Sequence, residues 1–118
     1  MSKVFLAEDD QTMVTLLQTL LKLEGFETVS LDLAEGNLFA MLERNIPKML
    51  LLDLNLPGES GLDVLRVMRA DERFKNTRVI MASGMNAKDE CLASGADAFL
   101  MKPYMPDELI GLLKKYMA

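Results

Sequence analysis

Residues 49–53 read Met-Leu-Leu-Leu-Asp, four apolar residues followed by an acid. A short unbroken apolar run bounded by polar residues is typical of a strand that is buried on both faces of a sheet. Pro57 and Gly58 follow soon afterwards and indicate a turn. We therefore predict that residues 49–53 form a central strand, and that Asp53 carries the reactive group where this strand leaves the core.

Apolar runs alternate with helical patterns along the rest of the chain. The predicted strands are residues 4–7, 27–31, 49–53, 79–82 and 98–101. The predicted helices begin at Asp10 or Gln11 and end at Gly25, then cover 35–44, 61–69 and 87–94, and the last begins at Pro106. Five strands alternating with five helices indicate an α/β fold, a doubly wound parallel sheet with helices on both faces and right-handed crossovers.

Two details of this pattern can be compared with a structure. The first helix should be capped by Asp10. Its predicted apolar stripe consists of Met13, Leu16, Leu17, Leu20 and Leu21. Residues 27–31 alternate polar and apolar side chains, which predicts an edge strand with one face exposed to water.

Composition excludes several classes of function. The net charge of −5 argues against binding to a nucleic-acid backbone and suits a positive ligand such as a metal ion. Because the chain has no histidine, Ser/His/Asp and Cys/His catalysis and imidazole zinc sites are excluded.

The single cysteine, Cys91, excludes an internal disulfide and is compatible with a reducing cytoplasm. We expect it to be a small buried side chain. No apolar run approaches the roughly 20 residues of a membrane span, and the start of the chain lacks a signal-peptide pattern. We therefore expect a cytoplasmic protein without membrane insertion.

Polar residues with complementary chemistry follow the predicted strands. These residues are Glu8, Asp9 and Asp10 after the first strand, Asp53 and Asn55 after the third, Ser83 after the fourth and Lys102 after the fifth. Each alone could be a cap, a turn residue or a surface residue. Together, at the ligand-binding edge of a parallel sheet, they indicate a site.

Clustered carboxylates repel one another unless a cation lies between them, and oxygen-only ligands with room for water suit Mg²⁺ best. Lys102 could supply a charge to a phosphoryl oxygen, and Ser83 could supply a hydroxyl donor. The pattern therefore makes Asp53 a candidate phosphoryl acceptor.

Four stretches together resemble the receiver domains of two-component response regulators, the class that includes CheY. These stretches are Ala7-Glu8-Asp9-Asp10, Leu52-Asp53-Leu54-Asn55-Leu56-Pro57-Gly58, Ser83-Gly84 and Met101-Lys102-Pro103-Tyr104. The resemblance covers essentially the whole chain and implies one phosphoacceptor domain over residues 1–118. It also implies a flavodoxin-like three-layer sandwich with strand order 2-1-3-4-5.

The resemblance assigns roles to individual residues. Asp53 matches the phosphorylated aspartate, and Mg²⁺ is held by Asp53, by Asp9 directly, by Glu8 through water and by the backbone carbonyl of Asn55. Ser83 and Lys102 match the hydroxyl and the lysine that contact the phosphoryl group. Phe99 matches the aromatic that moves between exposed and buried positions, and the Lys102–Pro103 peptide is expected to be cis.

The resemblance also implies partners. A histidine kinase or histidine phosphotransfer protein would supply the phosphoryl group, and a downstream protein would bind the face formed by helix 4, strand 5 and helix 5. We expect no direct nucleic-acid binding, and a monomer or weak dimer.

One departure concerns the output face. The stretch from Ser83 to Lys102 is a few residues shorter than in typical receivers, and the shortfall falls within residues 84–94. Two alternatives remain open at this point. One is a phosphorylation-independent interaction module with the same fold. The other is a small Mg²⁺-dependent phosphatase, which would need a second acid next to Asp53, where the chain instead has Asn55 two residues on.

Overall fold

The computed structural model describes residues 2–117. Its main sheet contains β1 (Lys3–Ala7), β2 (Glu27–Ser30), β3 (Met49–Asp53), β4 (Arg78–Ser83) and β5 (Ala98–Met101). The helices are α1 (Gln11–Leu23), α2 (Leu38–Arg44), α3 (Gly61–Arg69), α4 (Lys88–Ala93) and α5 (Pro106–Met117). Two 3₁₀ turns, Leu33–Glu35 and Glu72–Phe74, and a hairpin of two-residue strands, Asn55–Leu56 and Glu59–Ser60, complete these elements.

The sheet has the order β2-β1-β3-β4-β5, and all four neighbouring pairs are parallel. This confirms the strand order and the predicted edge position of β2. β3 lies between β1 and β4, with Leu51 in register with Leu6 on one side and Ile80 on the other. All five residues of β3 are buried, as expected for the central strand.

Two apolar layers cover the faces of the sheet. Side chains alternate along a strand, so neighbouring residues of β3 enter different layers. Leu50 and Leu52 pack in the layer that contains residues of α2, α3 and α4. Met49 and Leu51 pack in the layer that contains residues of α1 and α5. Cys91 is fully buried in the first layer, as predicted.

The apolar stripe of α1 is rotated relative to the prediction. Asp10 caps the helix as expected, accepting from the backbone N–H groups of Thr12 and Met13. Val14 is buried, however, while Leu16 is 46% exposed. At 100° per residue, Val14 and Leu17 share a face that excludes Leu16, so the predicted inward position of Leu16 was wrong.

α2 begins at Leu38, three residues later than predicted. The chain first forms the 3₁₀ turn capped by Asp32, and Gly36 then adopts a positive φ of 78°. Asn37 follows with a φ of 45° and accepts from the backbone N–H of Ala40. A helix cannot pass through two left-handed residues, so the predicted start at residue 35 was wrong.

Arg69, at the end of α3, holds several segments together at the amino ends of β4 and β5. Its guanidinium donates 2.8 Å hydrogen bonds to the backbone carbonyls of Phe74, Thr77 and Gly95. It also donates to the Asp97 carboxylate at 3.2 Å. We call this set of contacts the Arg69 clamp. It fixes the turn between α4 and β5 to the end of α3.

α4 has six residues and is the shortest of the five described helices, within the stretch that the sequence marks as short. Its N-cap is Ala87, and no side chain of the described chain caps that end. Within residues 2–117, none of the helices has the length and apolar character needed to cross a membrane.

Candidate active site

Polar side chains from separate strands meet at the carboxyl edge of the main sheet. Glu8 and Asp9 follow β1, Asp53 ends β3, Ser83 ends β4 and Lys102 follows β5. Parallel strands bring these ends together although the residues are far apart in the chain. The structure therefore brings together Glu8, Asp53 and Lys102 in direct contact, with Asp9 beside them.

Three carboxylates form the anionic part of the site. One oxygen each of Glu8, Asp9 and Asp53 lies within 4.8 Å of the others. Glu8 and Asp53 are buried, at 2% and 5% exposure, whereas Asp9 is exposed. Buried carboxylates at this spacing require a compensating charge, and their hard oxygen donors suit a divalent cation such as Mg²⁺. The donor set therefore fits the metal that the sequence predicted.

Lys102 supplies a positive charge to the same cluster. Its Nζ lies 2.7 Å from Glu8 Oε1 and 2.9 Å from Asp53 Oδ2. Burial favours the neutral amine, but hydrogen bonds to Glu8 and Asp53 and the charges of both acids outweigh this, so the pKa of Lys102 is raised above its ordinary value. The ammonium is thus held charged against the two buried acids.

The backbone of Asp53 is positioned by the start of α3. A Cβ on Gly61 would lie far inside contact distance of the Asp53 carbonyl oxygen. The N–H of Gly61 donates to the Leu54 carbonyl at 2.7 Å. Only glycine allows α3 to begin this close to the end of β3. The sequence prediction did not single out Gly61, although its place just after the N-cap Ser60 was the available signal.

Neighbouring backbone groups contact the carboxylates of the site. The N–H of Asn55 donates to Asp53 Oδ1 at 3.3 Å, and the N–H of Asp10 donates to Glu8 Oε2 at 3.1 Å. The Asp10 side chain caps α1, so its role is structural rather than part of the carboxylate cluster. The predicted role of the Asn55 carbonyl as a metal ligand stays a prediction.

Ser83 is fully buried at the end of β4. Its Oγ accepts from the backbone N–H of Met85 at 3.1 Å, which leaves its own O–H proton free to donate. The Ser83 carbonyl accepts from the backbone N–H of Lys102 at 2.8 Å. The hydroxyl and the ammonium are therefore carried by adjacent, hydrogen-bonded strand ends.

The two remaining predictions concern β5 and the loop after it. Phe99 is half-buried against the layer that contains Met81, its register partner in β4. The Lys102–Pro103 peptide is cis, as expected.

A cleft of about 480 Å³ opens beside Glu8 and Asp9 and is also lined by Asp32 and Pro57. This cleft gives access to the acidic side of the site.

A flavodoxin-like sheet with this order, and with helices on both faces, is the fold of CheY-like receiver proteins. The family model for the response regulator receiver domain matches residues 4–114. The chain belongs to this family.

Similar proteins agree with this assignment. The DNA-binding response regulator MtrA of Mycolicibacterium paratuberculosis is 35% identical over 114 residues, which cover 95% of this chain and 49% of MtrA. The cell cycle transcriptional regulator CtrA of Caulobacter vibrioides is 36% identical over 116 residues, which cover 92% of this chain and 47% of CtrA. The chain thus spans about half the length of these relatives.

A solved structure shows the same fold. The receiver domain of the Francisella response regulator 1452 superposes with a TM-score of 0.87 at 28% sequence identity. The superposition covers 98% of this chain and 96% of the Francisella domain.

Proposed function

We propose that residues 1–118 form a receiver domain that takes a phosphoryl group from a partner's phosphohistidine onto Asp53 and thereby switches a protein-interaction surface. The observation that carries this proposal is the position of the Asp53 carboxylate. One of its oxygens contacts the Lys102 ammonium at 2.9 Å, and the acids Glu8 and Asp9 lie beside it. Receiver domains of this family pair with histidine kinases.

The transfer is a displacement at phosphorus. A carboxylate oxygen of Asp53 forms the new P–O bond, while the P–N bond to the partner's imidazole breaks and its electron pair stays on the departing nitrogen, which takes a proton from solvent. The Lys102 ammonium contacts the phosphoryl oxygens, and the Ser83 hydroxyl donates a hydrogen bond to one of them. Asp9, Asp53 and the Asn55 carbonyl would hold Mg²⁺ directly and Glu8 would hold it through water, and the bound ion would offset charge on the transferring group.

The family is not one of conventional enzymes, and we propose that this chain catalyses only the gain and loss of its own phosphoryl group. A phosphatase acting on other substrates needs a second acid beside the nucleophile. Two positions beyond Asp53 the chain has the exposed Asn55, and two beyond Ser83 it has Met85, which are neither acids nor bases. We therefore expect ordinary dephosphorylation, with a phosphoaspartate half-life that Asn55→Ala would change if that neighbour governs water access.

The domain's downstream partner and its cellular location are also proposed here. We propose that the domain acts in the cytoplasm and that a downstream protein binds the α4–β5–α5 face. Leu92, Met101 and Met105 are exposed on or next to these elements. MtrA is named as DNA-binding and CtrA as a transcriptional regulator, and both are about twice the length of this chain. The expectation that this domain itself binds no nucleic acid stays a prediction.

The deciding experiment uses acetyl phosphate and Mg²⁺, with intact-mass spectrometry to detect the phosphoryl group. The wild-type protein should gain one phosphoryl group, and Asp53→Asn should gain none. Asp63→Asn is the matched control, because Asp63 is an exposed acid on α3 and should not affect labelling. Labelling of Asp53→Asn would refute the assignment. A wild-type protein that binds Mg²⁺ but is never labelled would favour the phosphorylation-independent module.

A further inference from the structure

Tyr104 carries a buried hydroxyl without a hydrogen bond. The residue is 6% exposed, and its hydroxyl oxygen is enclosed without a hydrogen-bond partner anywhere in residues 2–117. Buried tyrosine hydroxyls usually have a partner, because a polar group that is desolvated and unpaired destabilises the folded state. An enclosed donor without an acceptor therefore calls for a functional explanation.

The hydroxyl lies next to the site described above. Tyr104 follows Lys102 by two residues and packs in the same apolar layer as Leu6 and Ala82, which lead into Glu8 and Ser83. The pKa of Tyr104 is raised to about 12, mainly by burial; the charges of Glu8 and Asp53 contribute to this rise, and the charge of Lys102 opposes it. The charges that shift the pKa of this hydroxyl are thus those of Glu8, Asp53 and Lys102, which form the site.

We infer that the Tyr104 hydroxyl is a positioning residue for Glu8, to which it donates a hydrogen bond when the phosphoryl group is in place. This inference rests on the proposed function. In the structure described here, both carboxylate oxygens of Glu8 already contact other donors.

The contacts of Glu8 provide the reason. Its Oε1 accepts from the Lys102 ammonium at 2.7 Å, and its Oε2 accepts from the Asp10 backbone N–H at 3.1 Å. A phosphoryl group on Asp53 places more negative charge beside Lys102, and the ammonium follows that charge. Glu8 then loses its charged donor while it remains buried, and the Tyr104 hydroxyl replaces it.

The test compares two conservative substitutions, Tyr104→Phe and Tyr116→Phe. Beryllofluoride with Mg²⁺ serves as the phosphoryl mimic, calorimetry gives its affinity, and thermal unfolding without ligands gives the stability. The hydroxyl of Tyr116 already donates to the Asp97 carbonyl at 2.9 Å, at the opposite edge of the sheet. The two tyrosines should therefore respond in opposite ways.

For Tyr104→Phe we expect an unchanged or raised melting temperature without ligands, and an affinity for Mg²⁺–beryllofluoride that is about 10-fold weaker. For Tyr116→Phe we expect a lower melting temperature and an unchanged affinity. If Tyr104 acts through Glu8, its substitution should have no further effect on affinity in a Glu8→Ala background, which has no side-chain acceptor.

Other outcomes separate the two proposals. Wild-type affinity in Tyr104→Phe would overturn the inference while leaving the proposed function intact. A lower melting temperature of Tyr104→Phe with unchanged affinity would also overturn it, because the hydroxyl would then be paired in the free protein. Failure of the wild-type protein to bind beryllofluoride would refute the proposed function, and this inference with it.

Discussion

Replacing Lys102 by methionine should reveal the charge balance of the site. Methionine is similar in length and removes the ammonium from two acids that are 2% and 6% exposed in their side chains. At 2.7 and 2.9 Å, each contact has a gross attraction of about 6 kcal/mol at an effective dielectric constant of about 20. Desolvation and screening cancel most of this attraction, and we expect the free energy of unfolding to fall by about 2 kcal/mol.

The assay is urea unfolding with and without Mg²⁺. Mg²⁺ should stabilise Lys102→Met more than the wild-type protein, because the cation no longer competes with the ammonium for the carboxylates. Lys114→Met is the control: Lys114 pairs at 2.6 Å with Glu24, but both side chains are exposed, so the loss should stay below about 1 kcal/mol. Equal stability and an equal Mg²⁺ response in Lys102→Met and wild type would refute the reasoning.

The pH dependence has a definite sign. The pKa of Lys102 is raised in the folded state from its ordinary 10.5, so the stabilisation is fully present below that value and is lost as the pH rises through the folded-state pKa. The stability difference between wild type and Lys102→Met should therefore be constant from about pH 7 to 9 and shrink only at strongly alkaline pH.

Three further substitutions or treatments test other features. Gly61→Ala should destabilise the protein by about 2–4 kcal/mol, because the new Cβ meets the backbone at the end of β3; Gly111→Ala, with open space around its Cβ, should be neutral or stabilising by thermal unfolding. Arg69→Met should cost about 3 kcal/mol in urea unfolding, because three backbone carbonyls lose the guanidinium as a hydrogen-bond donor, whereas Arg66→Met, which breaks only exposed pairs, should cost less than about 0.5 kcal/mol. Cys91 should react with thiol reagents only in denaturant, since it is fully buried and burial raises its pKa; rapid labelling of the native protein would contradict this.

The features that follow from strand periodicity were predictable from the sequence. β3 was recognised because four apolar residues precede Asp53, and Lys102 was placed near Asp53 because parallel strands share a carboxyl edge. The direction of the α1 stripe was not predictable, because leucines at both helical spacings allow two faces and only packing distinguishes Leu16 from Val14. Helix propensity alone also does not show that Asn37 adopts a left-handed conformation.

Contacts between distant segments were beyond the sequence prediction. Gly61 has its role because of a backbone carbonyl in another element, and the Tyr104 hydroxyl is defined by what surrounds it in three dimensions. Neither feature has a periodic signature. The charged groups of the site were predictable because both their chemistry and their position after a strand indicate a site. Gly61 and Tyr104 support these groups, but their chemistry alone does not mark them as functional.

The Arg69 clamp makes the opening of α4 directional. The clamp ties the carbonyl of Gly95, just beyond the carboxyl end of α4, to α3, while Ala87 at the other end has no side-chain cap within the described chain. We therefore expect fraying to start at the Ala87 end, which adjoins the loop after Ser83, and to stop at Ser94. Amide hydrogen exchange should therefore be fastest at the Ala87 end of α4 and slowest at the Ser94 end. A disturbance at the carboxyl edge of the sheet would unwind α4 from the Ala87 end, while the Ser94 end stays fixed.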